Sequence, residues 1–188
     1  SAPANVIIED AKNDALLFLG TDRGLFATID GGARWVLMKA NMPIVPVRDL
    51  IIHPRENDLV VGTHGRGLFL TDITPLQELT EQVLAKPVHL FAIEPKGMRV
   101  ESGWGNYRLF GDDILNTPNE PNGMSIAFYT RDAAAVTITI TNAAGATVRT
   151  LQQQAGTGLR RALWNLSDAQ NQRVVPGTYT VTLSAGDL

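Results

Sequence analysis

Thr28-Ile29-Asp30-Gly31-Gly32-Ala33-Arg34-Trp35 lies between two apolar runs, Leu25-Phe26-Ala27 and Val36-Leu37-Met38. The octet has the composition of a tight turn joining two strands. Asp30 can accept backbone N–H bonds, the paired glycines can take positive φ, and Trp35 is expected to close the turn by filling the core beside it. Working upstream, Gly20-Thr21-Asp22-Arg23-Gly24 is a second turn, preceded by the strand-length apolar run Leu16-Leu17-Phe18-Leu19. Asp10-Ala11-Lys12-Asn13-Asp14 is a third turn cluster, preceded by Val6-Ile7-Ile8. Turn signals at intervals of about eight to twelve residues, between short apolar runs, predict an all-β fold.

The pattern then repeats. Val6-Ile7-Ile8 matches Leu50-Ile51-Ile52 at an offset of 44, and Asn13-Asp14 matches Asn57-Asp58 at the same offset. Gly20-Thr21 matches Gly62-Thr63 at 42, and Gly24-Leu25-Phe26 matches Gly67-Leu68-Phe69 at 43. A period of roughly 40–45 residues with four short strands per unit is the signature of a propeller blade. The second copy lacks a counterpart of the Asp30 turn and of the strand at Trp35, so one full blade and three strands of another are expected. A propeller closes with about four to eight blades. The expected partners are therefore the remaining blades, on the same precursor or on another chain, or further copies of this one.

The other bounds come from length and composition. At 188 residues, one or two domains are expected. The chain is 44% hydrophobic and 19% charged, as in an ordinary globular protein. A formal charge of −3 offers no basic surplus for neutralising phosphates, which argues against a nucleic-acid binder. No apolar run reaches the roughly 18 residues of a membrane span. Cysteine is absent, which excludes disulfides, thiolate metal sites and cysteine nucleophiles.

Beyond Asp72 the period changes. Residues 75–86 read as a single short helix, with Thr74 as N-cap, Pro75 at the first helical position, Leu76, Leu79 and Val83 on one face and Pro87 as its stop. Val88–Ile93 reads as a strand. The turn-rich stretch from residue 94 to residue 123 reads as a linker. Residues 124–188 return to alternation: Val136, Ile138 and Ile140 point one way, and the threonines between them point the other. The expected organisation is thus residues 1–73 as partial propeller, 74–123 as helix, strand and linker, and 124–188 as an Ig-like β-sandwich.

The turn at Thr28–Trp35 resembles the Asp-box of bacterial neuraminidase repeats, Ser/Thr-x-Asp-x-Gly-x-Thr-Trp, with Arg34 in place of the usual threonine. Its surroundings resemble the sortilin-like and xyloglucanase-like propellers, often labelled glycosyl hydrolases. The tail resembles the FlgD-type Ig-like domain through Gly145-x-x-Val148-Arg149, Trp164-Asn165 and Val174-Val175-Pro176-Gly177-Thr178-Tyr179. Asn165 departs from the usual aspartate. These resemblances imply a secreted bacterial protein, extracellular, on the cell surface or periplasmic, with the Asp-box (Thr28, Asp30, Gly32, Trp35) in a structural role on the rim away from the substrate face.

The alternation of connections in a propeller places the turns of Asp22-Arg23 and His64-Gly65-Arg66 on one face with the crossover Ala40–Arg48. Asp22, Arg23, His64 and Arg66 are therefore the candidate ligand-binding residues. Of these, Arg66 can fork a carboxylate or phosphate. The other reading of these residues is a polar hairpin tip or a bond between blades. Asp22, Asp49 and Asp72 are candidates for glycoside hydrolysis, which needs paired carboxylates; nothing in the sequence pairs them. Asp112, Asp113, Asn116, Asn119, Glu120 and Asn122 form an oxygen-rich stretch whose donor types suit Ca²⁺, though they are ordinary loop residues too. Trp104 and Tyr107 can stack on a sugar ring or seat the linker. His53, His64 and His89 show no zinc spacing. The expected function is a protein- or glycan-binding scaffold with an accessory Ig-like domain. The alternative is a glycoside hydrolase whose carboxylates lie mainly in blades outside this chain.

Overall fold

The computed structural model describes residues 2–39, 42–98 and 122–186. They divide into two compact units, residues 1–92 and 93–188. The architecture is all-β, consistent with a partial propeller followed by a β-sandwich.

The first unit contains two antiparallel sheets. One is four-stranded, in the order β1 (Ala4–Glu9), β2 (Leu17–Thr21), β3 (Gly24–Thr28), β4 (Val36–Leu37). The other is three-stranded: β5 (Val47–Ile52), β6 (Asp58–Thr63), β7 (Leu68–Asp72). The count of four strands and then three agrees with the repeat read from the sequence. Directly opposed residues share a face of a sheet. In the first sheet Ile8, Phe18 and Ala27 form one row, and Val6, Gly20 and Leu25 another on the same face. In the second sheet Leu50, Val61 and Phe69 form a row beside Ile52, Leu59 and Thr71. These two faces meet in one core of Leu16, Phe18, Leu25, Ala27, Val47, Leu50, Leu59, Val61 and Ile73.

Gly20 sets how closely the sheets approach. A Cβ there would stand 2.6 Å from Val47 Cγ1 and 2.7 Å from Val6 Cγ1. The reverse face of the second sheet, carrying Ile51, Val60, Leu70 and Leu68, is open. Leu68 and Leu70 stand 43 residues after Leu25 and Ala27. They are 69% and 66% exposed, whereas their counterparts are 2% and 9% exposed. The reverse face of the first sheet carries Ile7, Leu19, Phe26 and Leu37, with Ile7 exposed.

Two one-turn helices follow, α1 (Thr74–Gln77) and α2 (Glu81–Leu84), in place of the single helix expected. The break has a local cause. Thr80 is extended, with φ −101° and ψ 168°, and its hydroxyl accepts the Val83 N–H as the N-cap of α2. Asp72 Oδ1 accepts the Thr74 N–H at 2.9 Å, and Pro75 lies in the first turn of α1, where its missing N–H costs nothing. Gln77 pins α1 to the turns of both repeats. Its amide donates to the buried Asp10 at 2.7 Å and to Asn57 at 3.5 Å, and its carbonyl accepts Asn13 Nδ2 at 3.0 Å. β8 (Val88–Leu90) is shorter than the strand expected over Val88–Ile93.

In the second unit, β9 (Met124–Thr130) pairs with β12 (Gly158–Trp164). A separate sheet has the order β11 (Thr147–Ala155), β10 (Ala134–Asn142), β13 (Tyr179–Ala185). Val136, Ile138 and Ile140 are buried, as their alternation predicts, together with Ile126, Phe128, Ala162 and Trp164.

Candidate functional site

The turn at Thr28–Trp35 is built by its own hydrogen bonds. The Thr28 hydroxyl donates to Asp30 Oδ1 at 2.7 Å and accepts the N–H groups of Asp30 and Gly32. Asp30 Oδ1 also accepts the Arg34 N–H at 2.9 Å, and Asp30 Oδ2 meets Arg34 Nε at 3.3 Å. The Arg34 N–H and then the Thr28 hydroxyl hold the Asp30 carboxyl below its ordinary range. A carboxylate so committed is held as an acceptor, which suits a structural turn. Gly31 donates to the Ala15 carbonyl at 3.0 Å, tying the octet to the preceding strand end. The expectation for Trp35 needs correcting. Its ring is half-buried and lies over Gly32, 3.8 Å from where a Cβ would be, outside the shared core. Val36 is exposed and Leu37 is turned to the reverse face, and the core beside the turn is built from Phe18, Leu25 and Ala27 without the tryptophan.

The repeated turns between the second and third strands of each sheet lie close to one short stretch, Pro46-Val47-Arg48. His64 donates its N–H to the Pro46 carbonyl at 2.9 Å. Asn5 donates to the Val47 carbonyl at 2.9 Å and to Asp22 Oδ1 at 3.0 Å. Arg48 Nη1 stands 3.1 Å from Asp22 Oδ1 and donates to Asn5 Oδ1 at 3.1 Å. Asp22 is thus bound into the junction between the sheets, the structural one of its two readings. Arg23, His64 and Arg66 are exposed. Asn5 and Arg48, which complete the network, were not singled out from the sequence. Their signal was position alone, one within each first strand of the repeat.

Each of the three aspartates considered for hydrolysis already accepts a hydrogen bond of its own. Asp49 Oδ1 accepts its neighbour Leu50 N–H at 2.9 Å. Asp72 ends β7 at the end remote from the Arg66 turn. At a rise of about 3.3 Å per residue, that is roughly 13 Å from Leu68, beyond the ~9.5 Å limit for an inverting pair. Among the described residues no group of three or more His, Cys, Asp or Glu side chains is placed to hold a metal ion. The oxygen-rich stretch 112–121, Trp104 and Tyr107 lie outside the described residues, and Asn122 is exposed.

His89 is a site the sequence did not mark. Its Nε2 is buried and makes no hydrogen bond among the described residues, and it stands 3.9 Å from Glu78 Oε2. Glu78 accepts the Ala92 N–H, and the His89 ring meets Phe91 edge-on at 4.9 Å. Burial, aided by the Lys86 charge, pushes the His89 pKa down against the opposing pull of Glu78. Among the described residues no helix is long and apolar enough to cross a membrane.

In the second unit the quoted tail residues converge on one corner. Arg149 Nη1 donates to the Asp168 carbonyl at 2.6 Å, and Ala169 N–H to the Val148 carbonyl at 3.0 Å. Trp164 Nε1 donates to the Ser167 carbonyl at 2.9 Å, and its ring meets Tyr179 at 5.3 Å, near edge-on. The Tyr179 hydroxyl donates to the Val175 carbonyl at 2.7 Å. The four hydrogen bonds brace loops and the ring contact joins β12 to β13, so the corner is a structural device. The chain matches no curated protein. Its residues 116–187, which include this corner and all five strands from β9 to β13, match the family model of the FlgD Ig-like domain.

Proposed function

We propose that the two stacked sheets are consecutive blades of an Asp-box β-propeller, and that further sheets of the same repeat cover their outer faces. The whole would serve as a protein- or glycan-binding scaffold outside the cell membrane or in the periplasm, with the Ig-like unit as an accessory domain. One observation carries this reading: the same repeat positions are buried in the first sheet and open in the second. Leu25 and Ala27 are covered by a following sheet, while Leu68 and Leu70 have none. An apolar sheet face of this kind is stabilised only when another layer removes it from water. The sheet-on-sheet contact inside this chain is the pattern for the missing one. A binding role, with the turns beside Pro46–Arg48 as the ligand face, agrees with carboxylates that are each engaged in backbone or junction bonds.

The test is the mass and subunit composition of the protein in solution, read together with hydrogen exchange at Leu68–Asp72. The reading expects these amides to be protected as well as those of β3, in a particle holding more sheets than the two seen here. Rapid exchange at β7 in a particle of one chain's mass, 20.3 kDa, would sink it. Glycan turnover by that particle, abolished by replacing one carboxylate, would give the protein to the hydrolases instead.

A further inference from the structure

We propose that the face formed by the turns Thr21–Gly24 and Thr63–Gly67 binds an acidic, partly apolar peptide segment, with Arg23 and Arg66 receiving its carboxylates. This rests on the blade reading for the choice of face, and deepens it by naming the chemistry of the ligand.

The two turns occupy the same place in the repeat and are locked alike. The Thr21 hydroxyl donates to the Gly24 carbonyl at 3.0 Å, and the Thr63 hydroxyl to the Gly67 carbonyl at 2.6 Å. Each lock commits the threonine hydroxyl to its own turn and leaves the arginine just before the glycine exposed. Both turns are tied to Pro46–Arg48, the first through Asp22 and Asn5, the second through the His64 N–H. The two arginines therefore flank one short segment.

Charge decides what they can take. Asp22 is the only carboxylate in either turn, and Arg48 and Asn5 already satisfy it. Arg23 and Arg66 make no ion pair among the described residues, so two unmatched guanidiniums flank Pro46–Arg48 on a chain of net charge −3. A guanidinium forks a carboxylate with two parallel bonds, but exposed pairs are individually weak, so the two must act together. Ile44, two residues before Pro46, is 69% exposed. A uniformly charged polymer would leave it unused, whereas a peptide that mixes carboxylates with apolar side chains engages it. That favours an acidic peptide over a polyuronate.

The experiment is calorimetric and NMR titration of the full chain with a peptide of about twelve alternating Glu and Leu residues, with polygalacturonate as a second arm. We expect amide shifts at Arg23, Ile44 and Arg66. We expect affinity to fall roughly tenfold or more in the Arg23→Gln/Arg66→Gln double variant, and several-fold as salt rises from ~50 to ~300 mM. The Arg131→Gln variant should bind like the parent. Absence of those shifts, or undiminished affinity in the double variant, overturns the proposal. So does arginine-dependent binding of polygalacturonate without binding of the peptide. Arginine-dependent peptide binding by a protein whose mass excludes further sheets would leave this proposal standing and remove the blade reading.

Discussion

A methyl group at Gly20 would meet two valine methyls at 2.6 and 2.7 Å, one from its own sheet and one from the next. Gly20→Ala therefore has to push the sheets apart or turn Val47 and Val6 out of their rotamers. Overpacking of this kind costs about 1–3 kcal/mol, read as a lower denaturant midpoint with an unchanged slope. Because the clash is shared with Val47, the double variant Gly20→Ala/Val47→Ala should lose less than the sum of its parts. Trp35 makes the opposite case. It is half-buried over Gly32, so Trp35→Ala should cost about 1–2 kcal/mol by area, well below the ~3–5 of an aromatic removed from a closed core. His89 gives a prediction in pH. Its pKa is lowered in the fold, so the folded protein disfavours the protonated ring. The associated stability is present above the ordinary histidine value, near 6.5, and is lost as pH falls below it through the lowered folded value. Denaturant midpoints measured from pH 7.5 down to pH 5 should decline in the parent, and His89→Phe should flatten that decline.

At the scale of elements, the strands were readable because turn chemistry marks both ends of each one and the period repeats. The phase set by Gly24-Leu25-Phe26 and Gly67-Leu68-Phe69 placed β3 and β7 correctly. The break between α1 and α2 was not readable, because Leu76, Leu79 and Val83 keep helical spacing through it while Thr80 imposes it by capping α2. The place of Trp35 was hidden for a related reason. Val6-Ile7-Ile8 and Leu25-Phe26-Ala27 are apolar on both faces of their strands, so composition gives no sign of which face a tryptophan would join. Of the candidate site, the grouping of the two turns was readable from the repeat. The capture of Asp22 by Arg48 and Asn5 was not, since residues 5, 22 and 48 meet only once the sheets are stacked. The Asp10–Gln77 bond was likewise invisible, because it joins residues 67 apart. Asp10 is buried and accepts the Lys12 and Asn13 N–H groups as well as the Gln77 amide. Asp10→Ala leaves all three donors without their acceptor, and should cost about 2–3 kcal/mol. Hydrogen exchange should show the loss first in α1, and intact protection there would place the bond's role elsewhere.

For the whole molecule, two units with separate cores imply two cooperative transitions. Val61→Ala should move only the transition of the first unit, and Ile138→Val only that of the second, the latter by about 0.5–1.5 kcal/mol. A calorimetric trace in which either substitution displaces one common transition would mean that the two cores melt together. The stacked sheets carry a further consequence. Their two outer faces differ: one resembles the face that this chain covers with its second sheet, and the other is the reverse side of the first sheet. A contact between unlike faces of identical objects leaves a fresh face at each end after every addition. Unless the rotation from sheet to sheet brings the last face back onto the first, growth has no natural stopping point. A chain held by one contact geometry ends as a ring, and one held by a slightly different geometry lengthens into a fibre.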